Sequence, residues 1–519
     1  MWMMTLQIGL VLVSLLRVES CTTLVAGRRA TVDGSVLAAH SNDGDGVTVG
    51  NLMAVPAANW TLPASRAVSG GSIPQVAETY AYFTKVGGYA SFNEKNVGLA
   101  ESTCSAVFPG SQERAALNIV DLSALGLERA DTARLAVSTM GQLAEQYGYY
   151  DAGESLLVVD PEEAYIFHVL PDDSGTSAIW VAQRVPDDHV GVVANSFTVR
   201  QVNLTDEQNY LYSANMLDVA RSSGRWDGIQ KFDFTRVFAA AEPGHKYASG
   251  RRMWAAFHQL ALPAMAADLP AEYDEYVSSA PYPATLPAAN LTAARLRNVM
   301  RSYYRGTPYD LSAGQAAGPF GSPARWSVPV DAVGNFERPI AIQRTILSYV
   351  LVCRRWLPEE VGGVMWISFH SALYSVYMPL TTGSLHSSLP LPRGLTANSG
   401  AVDRGIGAWQ AAHFVFAAAQ IHFTASLARL TEEQSSWEAK GERVVAAATA
   451  DFVAGQASND EVSRHCFDHV RAAVAAWWQL SDSLLLSTSY PALRYPSWWL
   501  NATGYAEGPP PSPKVPPIS

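Results

Sequence analysis

Apolar residues run almost unbroken from Leu6 to Leu16, interrupted only by Gln7, Gly9 and Ser14, and then give way to Arg17-Val18-Glu19-Ser20. The run is shorter than the roughly 18 apolar residues a membrane-spanning helix needs, and it has the proportions of a signal-peptide core followed by small or compact residues at Val18 and Ser20. It predicts cleavage after Ser20, which makes Cys21 the first residue of the mature chain. An uncleaved anchor is the competing reading, because no Lys or Arg precedes the run. Past Cys21 the pattern changes to that of strands. Residues 22–26 and 35–40 flank Asp33-Gly34 and predict a hairpin. With a two-residue turn, Cys21 falls opposite Gly46 and close to Asp43 and Asp45; a wider turn beginning at Gly27 shifts that register.

Further strand pairs are predicted at 154–159 with 164–170, around Asp160-Pro161, and at 178–185 with 190–195, around Pro186-Asp187. Apolar residues recurring every three to four positions predict helices over 132–147 and 206–221. After about residue 400 the stretches 409–429, 432–452 and 459–486 are Ala-rich, apolar on one face and free of proline, so they predict a helical C-terminal portion, either a separate subdomain or a layer on the sheets. The mixture is an α+β pattern of layered sheets covered by helices, not a strictly alternating parallel sheet. It divides the chain into a leader (1–20), a mixed core (21–400), a helical part (401–505) and a Pro-rich tail (506–519) whose composition cannot pack as helix or sheet.

Composition narrows the partners. A formal net charge of -11, with no run of clustered Lys and Arg, argues against nucleic acid. No second apolar segment is long enough to span a membrane, so no stable span is expected once the leader is gone. Four Asn-x-Thr sequons, at Asn59, Asn203, Asn290 and Asn501, agree with the leader in predicting a glycosylated protein of the secretory pathway, extracellular or in a lysosome-like acidic compartment. Homo-oligomerisation stays open. Four cysteines without a CxxC pair do not form a disulfide scaffold; with Cys21 set aside, one disulfide among Cys104, Cys353 and Cys466 is allowed.

An N-terminal cysteine carries its own base. A free α-amine titrates near pH 7.7–8.0, so roughly a tenth of it is unprotonated at neutral pH, and it can relay the proton of its own thiol through water. The opposing reading of Cys21 is a buried half-cystine or core thiol. His465 and His469 lie four apart on one helical face but lack the Glu of HExxH and a third ligand, so neither metal nor cofactor is expected. Gly405 and Gly407 do not make a dinucleotide fingerprint, since Gln410 stands where a third glycine is needed.

Several segments together resemble one family. Cys21-Thr22-Thr23, Ala30-Thr31 with Asp33-Gly34-Ser35, Asn42-Asp43, the stretch Asn93-Glu94-Lys95-Asn96-Val97-Gly98-Leu99-Ala100-Glu101-Ser102, Gly153-Glu154-Ser155, residues 180–187, Ala194-Asn195, Arg338-Pro339-Ile340, residues 362–366, and Ser375-Val376-Tyr377 with Pro379 are similar to the C69 dipeptidases, which include the secernins and lie within the N-terminal-nucleophile hydrolases. The likeness covers most of residues 21 to 430. It implies a four-layer αββα sandwich and a cysteine-dependent dipeptidase that forms an acyl-enzyme at Cys21. Asp43 would hold the α-amine and Asn195 would help bind the oxyanion. Residue by residue the bland readings are a turn former for Asp43 and a cap for Asn195. His40 stands where many bacterial members carry arginine; it and Arg344 are the candidate substrate-binding residues, with a short peptide or related amide as substrate. Two alternatives remain: a choloylglycine-type N-acyl amide hydrolase, and a secernin-like secretory protein without hydrolytic activity.

Overall fold

The structure, a computed structural model, describes residues 21–44, 48–85, 87–241, 245–274, 281–325, 336–396, 404–488 and 493–508. The predicted leader, Asp45 and Gly46 of the hairpin, and the end of the Pro-rich tail lie outside them.

Strand periodicity near the start is realised as Thr22–Ala26 (β1) and Val36–Asp43 (β2), every residue of both buried. Later strands that frame the site are Gly98–Cys104 (β3), Gly153–Val159 (β4), His189–Val193 (β5), Thr345–Cys353 (β6) and Gly363–Phe369 (β7). β1 and β2 sit in the middle of a seven-stranded sheet, flanked by β5 and β6, and β7 follows β6. An eight-stranded sheet contains β3 and β4 at its centre, and both sheets are antiparallel throughout. Alternation along the strands sorts the core into layers. Val25, Val36 and Ala38 on one face of the first sheet pack against Ala100, Leu157 and Ile166 of the second.

The outer faces are covered by helices. Ile119–Arg129 (α1), with a capping box at Asn118 and Asp121, and Ala133–Tyr147 (α2), capped by Thr132, cover the eight-stranded sheet. Arg251–Leu260 (α3) and Ala293–Met300 (α4) cover Leu24, Ala26, Leu37 and Ala39 on the other. The order helix, sheet, sheet, helix is the αββα sandwich. Ala408–Ile421 (α5), Phe423–Val453 (α6) and Asn459–Ser487 (α7) realise the helical C-terminal part, and α5 and α7 join the same apolar core as the sheets. The helical part is a layer on the sheets. No helix among the described residues is long and apolar enough to cross a membrane.

Three expectations change. The hairpin pairs Thr22 with Ser41 and Thr23 with His40, four residues away from the two-residue-turn register. The physical reason is a wide turn over 27–35 pinned to the Pro186-Asp187 turn: Arg29 and Ala30 donate backbone N–H to the Asp187 carbonyl at 2.7 and 3.0 Å, and Arg28 pairs with its carboxylate at 2.9 Å. Gly27 permits the approach, since a Cβ there would stand 2.5 Å from the Asp187 carbonyl oxygen. Second, the helix expected over 206–221 is confined to Met216–Ser222. Asp206 closes a turn on Asn209 instead, and residues 210–212 pair with the Ala178–Arg184 strand, so sheet pairing overrides the helical spacing. Third, the disulfide left open by the sequence does not form: all four cysteines are buried and none is in a disulfide. Cys104 donates to the Ser102 carbonyl and Cys353 to that of Asn96, and no pair forms.

Candidate active site

Cys21 lies immediately before β1, in line with the strand and fully buried. Continuing the observed register puts it opposite Asn42, whose side-chain amide donates to the Cys21 sulfur at 3.7 Å. Because side chains alternate, His40 and Asn42 of β2 face the same way as Cys21, toward the second sheet, while Ser41 and Asp43 face the helices. The site is therefore supplied from both sides of one strand.

On the sheet-facing side, His40 and Glu101 are each about 1% exposed, and His40 Nε2 stands 3.6 Å from Glu101 Oε2. Thr103 donates to the other Glu101 oxygen at 2.9 Å. Glu154 of β4 is the neighbouring buried acid. Burial first, and the repulsion of Glu101 second, push the Glu154 carboxyl well above its ordinary value. Burial works in the same direction on Glu101, but the polar neighbours His40 and Glu154 outweigh it and hold that carboxyl low. The pair is thus pushed apart, Glu154 toward its neutral form and Glu101 toward its charged form. Tyr349 of β6 closes this side: its ring meets the His40 ring edge-on at 5.0 Å and its hydroxyl donates to the Leu99 carbonyl at 2.7 Å.

On the helix-facing side, Asp43 is fully buried and accepts from Arg338 at 2.7 Å and from Thr345 at 2.6 Å. A bulge in β6 between Thr345 and Leu347 lies opposite Asn42 and Asp43 and brings the threonine hydroxyl onto the carboxylate. Arg344 turns to the Gly44 carbonyl at 2.6 Å, so it fastens the end of β2.

The residue that joins these parts was not expected from the sequence. Arg252 of α3, fully buried, donates to the Cys21 carbonyl at 2.7 Å, to the Thr22 hydroxyl at 2.9 Å and to Asn195 Oδ1 at 2.7 Å. A π-type turn over Lys246–Gly250 precedes α3 and sets the rotation that aims Arg252 inward while its neighbour Arg251 pairs with Glu337 at 2.9 Å. Asn195, just past β5, has a left-handed backbone, φ 57°, which an asparagine tolerates better than most residues. Its backbone N–H donates to the Ser102 hydroxyl oxygen at 2.9 Å, and its side-chain amide donates to the Thr103 carbonyl at 2.6 Å. Ser102 in turn donates to the Cys21 carbonyl at 3.4 Å.

Beside His40 and Asn42 opens a cleft with about 310 Å³ of free space, of which the enclosed part has room for about one water. Leu52, Lys85, Tyr89 and Leu347 line it too, and Lys85 donates to Asn42 Oδ1 at 3.1 Å. The sequence reading missed Lys85 as well. A lone lysine between strands carries no pattern that would single it out. His40 is walled in by Glu101 and Tyr349, while Lys85 is the partly exposed cation of the cleft. Far from the site, His465 is exposed and His469 buried against the Trp437 ring, so the two do not form a joint ligand pair. The four sequon asparagines are exposed, and Asn203 accepts from both the backbone and the hydroxyl of Thr205 in its own sequon.

Two antiparallel sheets packed face to face between helices, with the cysteine at the head of a central strand, define an αββα hydrolase. The chain belongs to peptidase family C69, whose model matches residues 20–390, and it is an enzyme of the peptidase class. A probable dipeptidase of Salmonella dublin is 26% identical over 402 residues, covering 73% of this chain and 85% of that protein. Dipeptidase A of Lactobacillus helveticus is 22% identical over 385 residues, covering 70% of this chain and 75% of its own length. A solved structure of penicillin V acylase from Agrobacterium tumefaciens aligns over 73% of this chain and 90% of its own, at 16% identity and a TM-score of 0.33, too loosely to bear on the site.

Proposed function

We propose that the protein is a cysteine-dependent dipeptidase of the secretory pathway, made active when cleavage after Ser20 frees the Cys21 α-amine. The observation that carries this reading is the meeting at one cysteine of Asn42, which donates to its sulfur, and Arg252, which ties its carbonyl to Asn195, with the buried Asp43 next to Asn42 on the same strand. In this reading the α-amine accepts the thiol proton through water, and Asp43, fixed by Arg338 and Thr345, orients the resulting ammonium. The thiolate adds to the scissile carbonyl; collapse expels the amine, which takes the proton back, and water releases the acyl group by the same route. Asn195 directs its remaining amide hydrogen at the developing oxyanion, a contribution of about 3 kcal/mol for a donor of this kind. Lys85 in the cleft supplies the cation for a substrate carboxylate, in place of the His40 and Arg344 expected from sequence.

That the relatives are named dipeptidases supports short peptides over N-acyl amides as the substrate of this chain. The test is N-terminal sequencing of the secreted protein together with initial rates on dipeptides and on N-acyl amides. A mature chain beginning at Cys21 that cleaves dipeptides, with Cys21→Ala inert, is the expected result. A single residue retained before Cys21 in an active enzyme would remove the amine as base and overturn the mechanism.

A further inference from the structure

Cys21, His40 and Glu101 bring together three different donor atoms: a sulfur, a ring nitrogen and a carboxylate oxygen, all within 4.8 Å of one another and all buried. Among the described residues this is the one group of three or more such side chains that could hold a metal ion. Neither ring nitrogen of His40 has a hydrogen-bond partner, nor does Glu101 Oε2, and the 3.6 Å between Nε2 and Oε2 is too long for them to satisfy each other. Buried polar atoms are seldom left so, and here His40 Nε2 and Glu101 Oε2 face each other beside the Cys21 sulfur.

We infer that Cys21, His40 and Glu101 form a binding site for a borderline-soft divalent cation of the Zn²⁺ type, and that a bound cation takes the Cys21 sulfur out of use. The donor set selects the class. Thiolate and imidazole suit zinc and disfavour calcium and magnesium, which prefer oxygen throughout. Charge selects it again: one thiolate and the charged Glu101 cancel two positive charges, so the occupied site is neutral and tolerates its burial. Binding displaces the proton of the Cys21 thiol to solvent, because the thiolate is the ligand form of cysteine. Ligands about a tetrahedral zinc stand roughly 3.3–3.8 Å apart; the His40–Glu101 pair is already at 3.6 Å and no pair of the three exceeds 4.8 Å. The neighbouring cleft, wide enough for about one water, offers the fourth position. The sequence held no hint of this site, because its ligands are spaced 19 and 61 residues apart with no short motif.

The cation site rests on donor geometry, and only its inhibitory consequence rests on Cys21 being the nucleophile. Metal-stripped secreted protein would be titrated with Zn²⁺ against a chromophoric chelator, and separately with Co²⁺, reading the thiolate-to-metal charge-transfer band. The expected result is one equivalent bound, at least tenfold weaker in His40→Ala and in Glu101→Gln, with the Co²⁺ band lost in Cys21→Ser and kept in Cys466→Ser. Dipeptide hydrolysis falls with the same Zn²⁺ midpoint and returns on adding chelator. Zn²⁺ uptake unchanged in His40→Ala, or a wild-type Co²⁺ complex without a thiolate band, overturns the site. Uptake with the expected spectrum but no hydrolysis to inhibit upholds the site and counts against the peptidase mechanism alone.

Discussion

Replacing Arg252 should separate its role in the site from its role in the fold. Its guanidinium makes two short charge-assisted bonds to site groups, 2.7 Å to the Cys21 carbonyl and 2.7 Å to Asn195 Oδ1. At about 1.5–3 kcal/mol each, their loss removes about 3–6 kcal/mol from the geometry that holds Cys21 and Asn195 together. At 1.36 kcal/mol per decade, full expression in the transition state would cost about two to four orders of magnitude in rate. Part of that energy also serves the ground state, so Arg252→Met is expected to lower kcat about 100-fold with a smaller change in KM. Arg252→Lys should recover little, because a single ammonium cannot reach both acceptors in the fork geometry. Initial rates on a dipeptide across a range of concentrations, with the melting temperature of each variant, form the assay. Burial works against charge on Arg252, so Arg252→Met need not melt much lower than the parent even while catalysis fails. An Arg252→Met enzyme that keeps kcat within threefold would refute the reasoning.

Two further outcomes follow from buried and exposed groups. His168, fully buried, accepts the backbone N–H groups of Thr198 and Val199 at 2.9 and 3.2 Å, and burial lowers its pKa to about 3. A depressed folded pKa gives stability that is present above the unfolded value near 6.5 and is lost as pH falls toward 3. Urea unfolding of wild type should therefore weaken by about 1.4 kcal/mol per pH unit below 6.5 from this residue, and His168→Gln should flatten that slope; an unchanged slope would count against it. If the secretory reading is right, glycosidase treatment of protein from a eukaryotic host lowers its mass, and Asn203→Gln lowers it by one glycan without loss of activity; a mass equal to that of the bare polypeptide would speak against it.

Much of the fold was legible because it is written locally. β1 spans the same residues, 22–26, as the β-rich run that predicts it, and α2 begins after the threonine its cap requires. What local pattern could not set was how segments meet. The hairpin register depended on Asp187, more than 150 residues on, holding the 27–35 turn open. Residues 206–221 have helical spacing, yet an available strand edge claimed 210–212. The site was legible to the same extent. Cys21, Asp43 and Asn195 stood in recognisable segments, and the structure brings Cys21 and Asn195 into one hydrogen-bonded group through Arg252, with Asp43 on the adjacent strand end. Arg252 itself was invisible, because an arginine in an amphipathic helix looks like a solvated one until the helix is docked.

The bonds on the Cys21 carbonyl also set a timetable. Ser102 lies 81 residues downstream and Arg252 231 residues downstream. At translation rates of about 5–20 residues per second, the cysteine waits roughly 10–50 s after its own synthesis before its last clamp exists. A truncated or stalled chain can display the thiol but cannot fix it in place. Enzymatic turnover would then report that the middle of the chain has been made and folded, which makes it a readout of biosynthetic quality as much as of chemistry.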